Sequence, residues 1–99
     1  MDLGDLTYDT FQGRTGQRFR DAETGTELEL TTVDDTTALL KHVPEGHRAP
    51  FSLLFRGPGD TLLPQSVRTL AHDELGDLDI FLVPVAQESD GYRYQAVFS

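Results

Sequence analysis

The sequence predicts an all-β fold with a short N-terminal helix, in which about six antiparallel strands form a meander that closes into a small barrel or a two-sheet sandwich. Runs of about six residues that alternate apolar and polar side chains recur along the chain, and turn formers separate them. The last two runs, Leu78–Val85 and Tyr92–Phe98, flank an Asp90-Gly91 turn, which is typical of an antiparallel hairpin. We expect residues 1–99 to form a single β domain whose last strand lies in its own core.

A short helix is predicted near the start of the chain. Leu6, Tyr8 and Phe11 have nearly helical spacing, and either Thr7 or Thr10 can cap the first turn. The glycines that follow would end the helix, so we expect only one or two turns.

Period-two alternation predicts the next four strands. Phe19 stands between two arginines, and Leu28 and Leu30 alternate with glutamates, so these two runs form a first hairpin with one wet face. Further strands are predicted at Pro50–Arg56 and Ser66–His72, with a tight Gly-Pro-Gly turn after the first of them. The segment Asp34–Ala49 is the least regular, and we expect a strand end and a loop there.

The terminal hairpin supplies most of the predicted core. Tyr92, Tyr94, Ala96 and Phe98 share one face of the last strand. The preceding run, Ile80–Val85, is apolar on both faces, which predicts a central strand or one that meets the N-terminal helix. We expect four phenylalanines to fill the interior, namely Phe51, Phe55, Phe81 and Phe98.

Charge and composition exclude several classes of partner. Seventeen acidic and eight basic residues give a net charge of −9, and no basic patch interrupts it, so neither nucleic acid nor an anionic membrane is expected to bind. The chain has no cysteine, and its sequence shows neither a signal-peptide pattern nor an apolar run of roughly 18 residues. We therefore expect a cytoplasmic protein that does not contact a membrane.

Three segments resemble a family of small uncharacterised bacterial domains. They read PFSLxFxGP at residues 50–58, LGxLxIFLVPV at 75–85 and YxAVF at 94–98. The resemblance spans nearly the whole chain apart from residues 34–49, and its matching positions are apolar residues, turn formers or single polar residues. It therefore implies a fold and no particular reaction. Because such domains are sometimes encoded near phage-tail-like proteins, it also implies an accessory or assembly role.

No motif for catalysis, a cofactor or a metal is present. The serines lie in no nucleophile elbow, and Arg56–Thr61 lacks the lysine and the helix of a phosphate loop, so we interpret it as a turn between strands. His42, His47 and His72 match no metal-site spacing and are interpreted as surface-loop histidines. We expect no catalytic residue, no cofactor and no metal.

The functional expectation is a non-enzymatic protein-interaction or accessory structural module. It would bind another protein, and would itself be a monomer or a weak homo-oligomer. Docking is expected through an exposed sheet edge, through Asp34–Ala49 or through the Gly57–Gln65 loop. The residues predicted to form the partner-binding surface are Arg56, Gly57, Pro58, Asp60 and Arg93.

Two alternatives remain open at this level. In the first, Arg56, Arg68 and His72 orient a small ligand at the mouth of a barrel. In the second, His72 acts with a neighbouring carboxylate, Asp73 or Glu74, in a small acid–base enzyme.

Overall fold

The computed structural model describes residues 6–35 and 51–98, which form one short helix and six strands in a closed antiparallel barrel. This confirms the all-β prediction and selects the barrel over the sandwich. The elements are α1 (Tyr8–Phe11), β1 (Arg18–Asp21), β2 (Glu27–Asp35), β3 (Phe51–Gly57), β4 (Ser66–His72), β5 (Gly76–Glu88) and β6 (Gly91–Phe98). The turn signals in the sequence separate the strands as the structure has them, and β4 begins and ends at the predicted residues.

The predicted helix is confirmed as a single turn. Thr7 is its N-cap, and the Thr7 backbone N–H donates to the Thr10 hydroxyl at 3.1 Å. Within the described ranges, no helix is long and apolar enough to cross a membrane.

The strand order around the barrel is β1-β2-β3-β6-β5-β4, so the chain departs from a simple meander at one connection. Consecutive strands pair within β1–β3 and within β4–β6, but β3 pairs with β6 rather than with β4. Residues 58–65 carry the chain from β3 to β4. Eight extended residues reach roughly 26 Å, which is enough to pass three strand spacings of about 4.8 Å each, so no hairpin is required there.

The barrel interior is filled by side chains, and both ends are covered. At one end, Phe11 of α1 packs against Phe19, Phe51 and Phe98 with ring centroids 5.9–6.4 Å apart. At the other end, Leu63 of the crossing loop is buried, and its backbone N–H donates to the Tyr94 hydroxyl at 2.9 Å. Among the described residues, sixteen buried apolar side chains belong to this core: Leu6, Phe11, Phe19, Leu28, Leu30, Phe51, Leu53, Phe55, Leu63, Leu70, Leu78, Ile80, Leu82, Tyr94, Ala96 and Phe98.

One of the four predicted core phenylalanines is misplaced. Phe51, Phe55 and Phe98 are buried, but Phe81 is 46% exposed. The alternation of β5 turns Ile80 and Leu82 inward, so Phe81 between them faces outward. The run Ile80–Val85 thus lies between two paired strands, as a central strand does, but its apolar outer face meets solvent.

The barrel closes at a short seam between β1 and β4. Only two residue pairs are in register there, Arg20 with Ala71 and Asp21 with Leu70, whereas β4 and β5 share seven. A buried ion pair spans this seam, because Nη1 of Arg68 lies 3.1 Å from Oδ2 of Asp21 and the two side chains are 7% and 1% exposed. The same carboxylate oxygen accepts from the backbone N–H and the hydroxyl of Thr24.

Candidate docking face

Exposed apolar side chains lie on one side of the barrel. Five large ones are exposed among the described residues, and all belong to β4, β5, β6 or the loop that enters β4: Leu62, Val67, Phe81, Val85 and Val97. Strands β1, β2 and β3 contribute none. We call the outer surface formed by Val67, Phe81, Val83, Val85 and Val97 the β4–β6 face.

Strand register brings the members of the β4–β6 face together. Val67 lies directly opposite Phe81, and Val83 lies opposite Gln95. Val67 and Phe81 form an apolar row across β4 and β5, about 5 Å apart. Val97 follows Gln95 by two residues on the outer side of β6, so the face includes outward residues of three neighbouring strands. Val83 and Val85 extend the row along β5, where a bulge between Pro84 and Ala86 leaves Val85 49% exposed.

Carboxylates border this apolar row on β5. Asp77 and Asp79 precede Phe81 at alternate positions and are exposed on the same outer side of the strand. The Thr69 hydroxyl donates to Oδ1 of Asp79 at 2.6 Å. Neither aspartate has an ion-pair partner within residues 6–35 and 51–98. At the far end of β5, Glu88 and Asp90 are also exposed.

The two predicted docking arginines lie side by side in an ion-pair ladder. Arg56 of β3 is in register with Arg93 of β6. Arg56 pairs with Glu29 and, at 3.4 Å, with Asp90, while Arg93 lies 2.9 Å from Asp90 and 3.4 Å from Glu88. The hydrogen bond from Arg93 lowers the pKa of the Asp90 carboxyl below its usual range. Both arginine charges are thus matched by carboxylates of the same molecule.

Four of the five predicted surface residues lie close together. Arg56, Gly57 and Pro58 line a shallow groove with Asp90, and Arg93 lies beside them in register. Asp60 is exposed farther along the crossing loop, where its carboxylate contacts the Thr61 hydroxyl.

Gly57 is itself buried and does not offer a side-chain surface. A Cβ atom there would lie 2.8 Å from Leu28 and 2.9 Å from Tyr94, so glycine is needed at this position for interior packing.

His72 is a buried residue and not the predicted surface-loop histidine. It is 8% exposed because it is an inward residue of β4, and its ring lies 4.6 Å from the ring of Phe19. Nδ1 accepts the backbone N–H groups of Glu74 and Leu75, each at 3.1 Å, and Nε2 lies 2.6 Å from Oε1 of Gln17. Since Nδ1 is an acceptor, Nε2 carries the proton and donates it to Gln17. Hydrogen bonds within the molecule thus use both ring nitrogens.

The residues suggested for a small ligand do not converge. Arg56 faces outward, Arg68 is buried against Asp21, and His72 lies four residues farther along β4, about 13 Å from Arg68. The inward side chain of Leu70 stands between them. In the part of the chain that the structure describes, no group of three His, Asp or Glu residues could hold a metal ion. His42 and His47 lie outside the described residues.

The docking expectations have different outcomes. A free sheet edge is absent from the closed barrel formed by the described strands, so that expectation is wrong. Most of Asp34–Ala49 lies outside the described residues. The β4–β6 face is a surface that the sequence reasoning missed, although one signal was present. Asp77, Asp79 and Phe81 are alternate residues of β5 and therefore lie on the same side of the strand. The two carboxylates indicate that this side faces solvent.

Comparison with known families matches nearly the whole chain to one of them. A family model described as a domain of unknown function (DUF6916) matches residues 6–98. This confirms the resemblance to a family of uncharacterised domains. No curated protein and no solved structure matched the chain.

Proposed function

The chain belongs to this family of domains of unknown function, and from that premise we propose that it is a non-enzymatic protein-binding module that docks through the β4–β6 face. The observation that supports the proposal is the one-sided distribution of exposed apolar residues. Scattered single apolar residues are normal on a protein surface, but a contiguous row flanked by polar groups is typical of an interaction site. The partner in this proposal is another protein.

The face has the anatomy of a protein interface. Its centre is apolar and contains one large aromatic side chain, Phe81, which can act as an anchor in a partner's pocket. Its rim is polar and includes Arg93 and Arg56, two strands or fewer from the apolar row. Of the residues predicted from the sequence, Arg56 and Arg93 therefore enter the proposal as rim and not as centre.

The state of the interior supports a binding role over the two alternatives. A small ligand at the barrel mouth would need space that Phe11 and Leu63 occupy at the two ends. An acid–base enzyme would need His72 to exchange a proton with substrate, but hydrogen bonds within the molecule use both ring nitrogens. We extend the proposal to a cytoplasmic setting because a cysteine-free chain suits a reducing compartment.

The test compares capture by the unmodified domain with capture by two single variants. Phe81→Ser removes the proposed anchor, and Glu27→Ser changes an exposed residue of β2, which is diametrically opposite β5 in the strand order. A partner retained in near-equal amount should be lost from Phe81→Ser and kept by Glu27→Ser. Binding of the purified partner should weaken about thirtyfold in the first variant, which corresponds to about 2 kcal/mol for an anchor residue.

Equal binding by both variants, with folding intact, would remove the β4–β6 face as the docking site. Circular dichroism and thermal melting establish folding. They should show little change in Phe81→Ser, because the side chain lies on the outer face of β5 and is 46% exposed.

A further inference from the structure

The charges on the docking side of the barrel are strongly one-signed. Residues 66–98, which contain β4, β5 and β6, include six acidic residues and two arginines. All six acids are exposed, whereas Arg68 is buried against Asp21 and Arg93 is paired with Asp90 and Glu88. The described strands of this side thus carry no arginine that is free to meet an acidic partner.

Two of these acids adjoin the apolar centre directly. Asp77 and Asp79 continue the outward column of β5 that leads to Phe81, with successive outward residues about 6.8 Å apart. Their charges have no cation within salt-bridge distance in the described residues. An incoming surface that covers Phe81 would also partly desolvate these two carboxylates, and it must supply positive charge to offset that loss.

We infer that the partner presents an apolar patch bordered by lysine or arginine side chains, which meet Asp77 and Asp79 while the patch covers Phe81. This inference rests on the proposed function and adds the chemistry of the partner to it. The opposite charge also accelerates encounter, so association should slow as salt is added.

Charge argues against the other occupants of the face. In a symmetric dimer the same patch lies on both subunits. A second copy would therefore bring its own acidic surface against Asp77 and Asp79 of the first copy. Nucleic acid and anionic lipid would meet the same carboxylates with phosphates. A cationic protein surface removes the repulsion in each case.

The test is selection from a displayed library of random peptides on immobilised domain. Four baits are compared: the unmodified chain, Phe81→Ser, the double variant Asp77→Asn with Asp79→Asn, and the matched double variant Glu23→Gln with Glu27→Gln. The last pair removes two exposed negative charges from the β1–β2 hairpin, outside the residues that define the β4–β6 face, and Glu27 lies on the strand opposite β5. The asparagines keep an oxygen that can accept the Thr69 hydroxyl.

The expected peptides combine apolar residues with an excess of lysine and arginine. They should be enriched by the unmodified chain and by the Glu23/Glu27 variant, and not by Phe81→Ser. Measured with a selected peptide, the Asp77/Asp79 variant should associate about threefold or more slowly and show a weaker dependence on salt.

Failure of the inference and failure of the proposed function give different results. Peptides that depend on Phe81 but carry no excess of basic residues would overturn the charge requirement and leave the docking face in place. Equal enrichment by the unmodified chain and Phe81→Ser, or no enrichment by either, would overturn both. Sedimentation that shows a dimer abolished by Phe81→Ser would assign the face to a second copy and overturn the inference.

Discussion

Removal of Asp21 from the buried ion pair is expected to destabilise the barrel far more than removal of any surface ion pair. In Asp21→Ala the guanidinium of Arg68 stays in the interior, and its remaining carboxylate neighbour is Glu23, 3.7 Å away and 82% exposed. Leaving one buried charge without its partner costs about 3–5 kcal/mol. A domain of this size has a free energy of unfolding of about 5–15 kcal/mol, so the variant should lose about a fifth of that stability or more.

The reciprocal variant should be less damaging. In Arg68→Met the Asp21 carboxylate still accepts the backbone N–H and the hydroxyl of Thr24, at 3.0 and 2.6 Å. Each such bond to a charged group contributes about 1.5–3 kcal/mol, so we expect a loss of about 2–3 kcal/mol. The double variant Asp21→Asn with Arg68→Met removes both charges, keeps an acceptor for Thr24 and should recover most of the stability lost in Asp21→Ala.

Urea unfolding with linear extrapolation measures these losses, and amide hydrogen exchange locates them. The Ala22 N–H donates to the Thr69 carbonyl at 2.9 Å across the β1–β4 seam, so its exchange should accelerate first. The exposed pair Arg18–Glu27, at 3.4 Å, is the control and should contribute less than about 1 kcal/mol. A loss of under about 1 kcal/mol in Asp21→Ala as well would refute the reasoning.

Three further outcomes are expected. Measured by calorimetry, Phe51→Ala should lower the free energy of unfolding by about 3–5 kcal/mol, because the side chain is buried. Phe81→Ala should lower it by less than about 1 kcal/mol, because its ring is 46% exposed. Similar losses would contradict the placement of Phe51 inside the barrel and Phe81 on its outer face. Burial raises the pKa of the Tyr94 hydroxyl above its ordinary value of 10.0. The contribution of Tyr94 to stability should therefore be constant below that pH and fall as pH rises toward the folded-state pKa. Tyr94→Phe should abolish this alkaline loss of stability, and an unchanged pH profile would exclude Tyr94 as its source. Gly91→Ala should lower the melting temperature more than Gly13→Ala. A Cβ at Gly91 would lie 2.0 Å from the Gly57 carbonyl oxygen, whereas a Cβ at Gly13 would meet open space. Equal melting temperatures would show that the backbone at Gly57 and Gly91 can move apart without loss of stability.

The local structure was predictable because it depends on neighbours in the sequence. Alternation defines which residues share a face, so the strand bounds and the common side of Arg68, Leu70 and His72 follow directly from the chain. Alternation does not state which side faces inward. Arg68 is charged but buried, and Phe81 is apolar but exposed. In both cases the chemical type of the side chain suggests the wrong side of the strand.

Strand order was less predictable because it depends on contacts between distant segments. A turn signal such as Asp90-Gly91 identifies a hairpin, but the loop at residues 58–65 is compatible with a hairpin or with a crossing. The choice depends on the seven-residue pairing of β3 with β6 and on the bond between the Leu63 N–H and Tyr94. The candidate site followed in part from this choice, since the pairing of β3 with β6 brings Arg56 beside Arg93.

The strand order also has a consequence for how the chain folds. Strands β1–β3 and β4–β6 are two three-stranded units whose hairpin contacts are nearer in sequence than the contacts that join the units. The units meet along β3 and β6 with seven pairs in register, and along β1 and β4 with two. We therefore expect the β3–β6 junction to form in the folding transition state and the β1–β4 junction to close last, so that substitutions at Asp21 speed unfolding and leave the folding rate nearly unchanged.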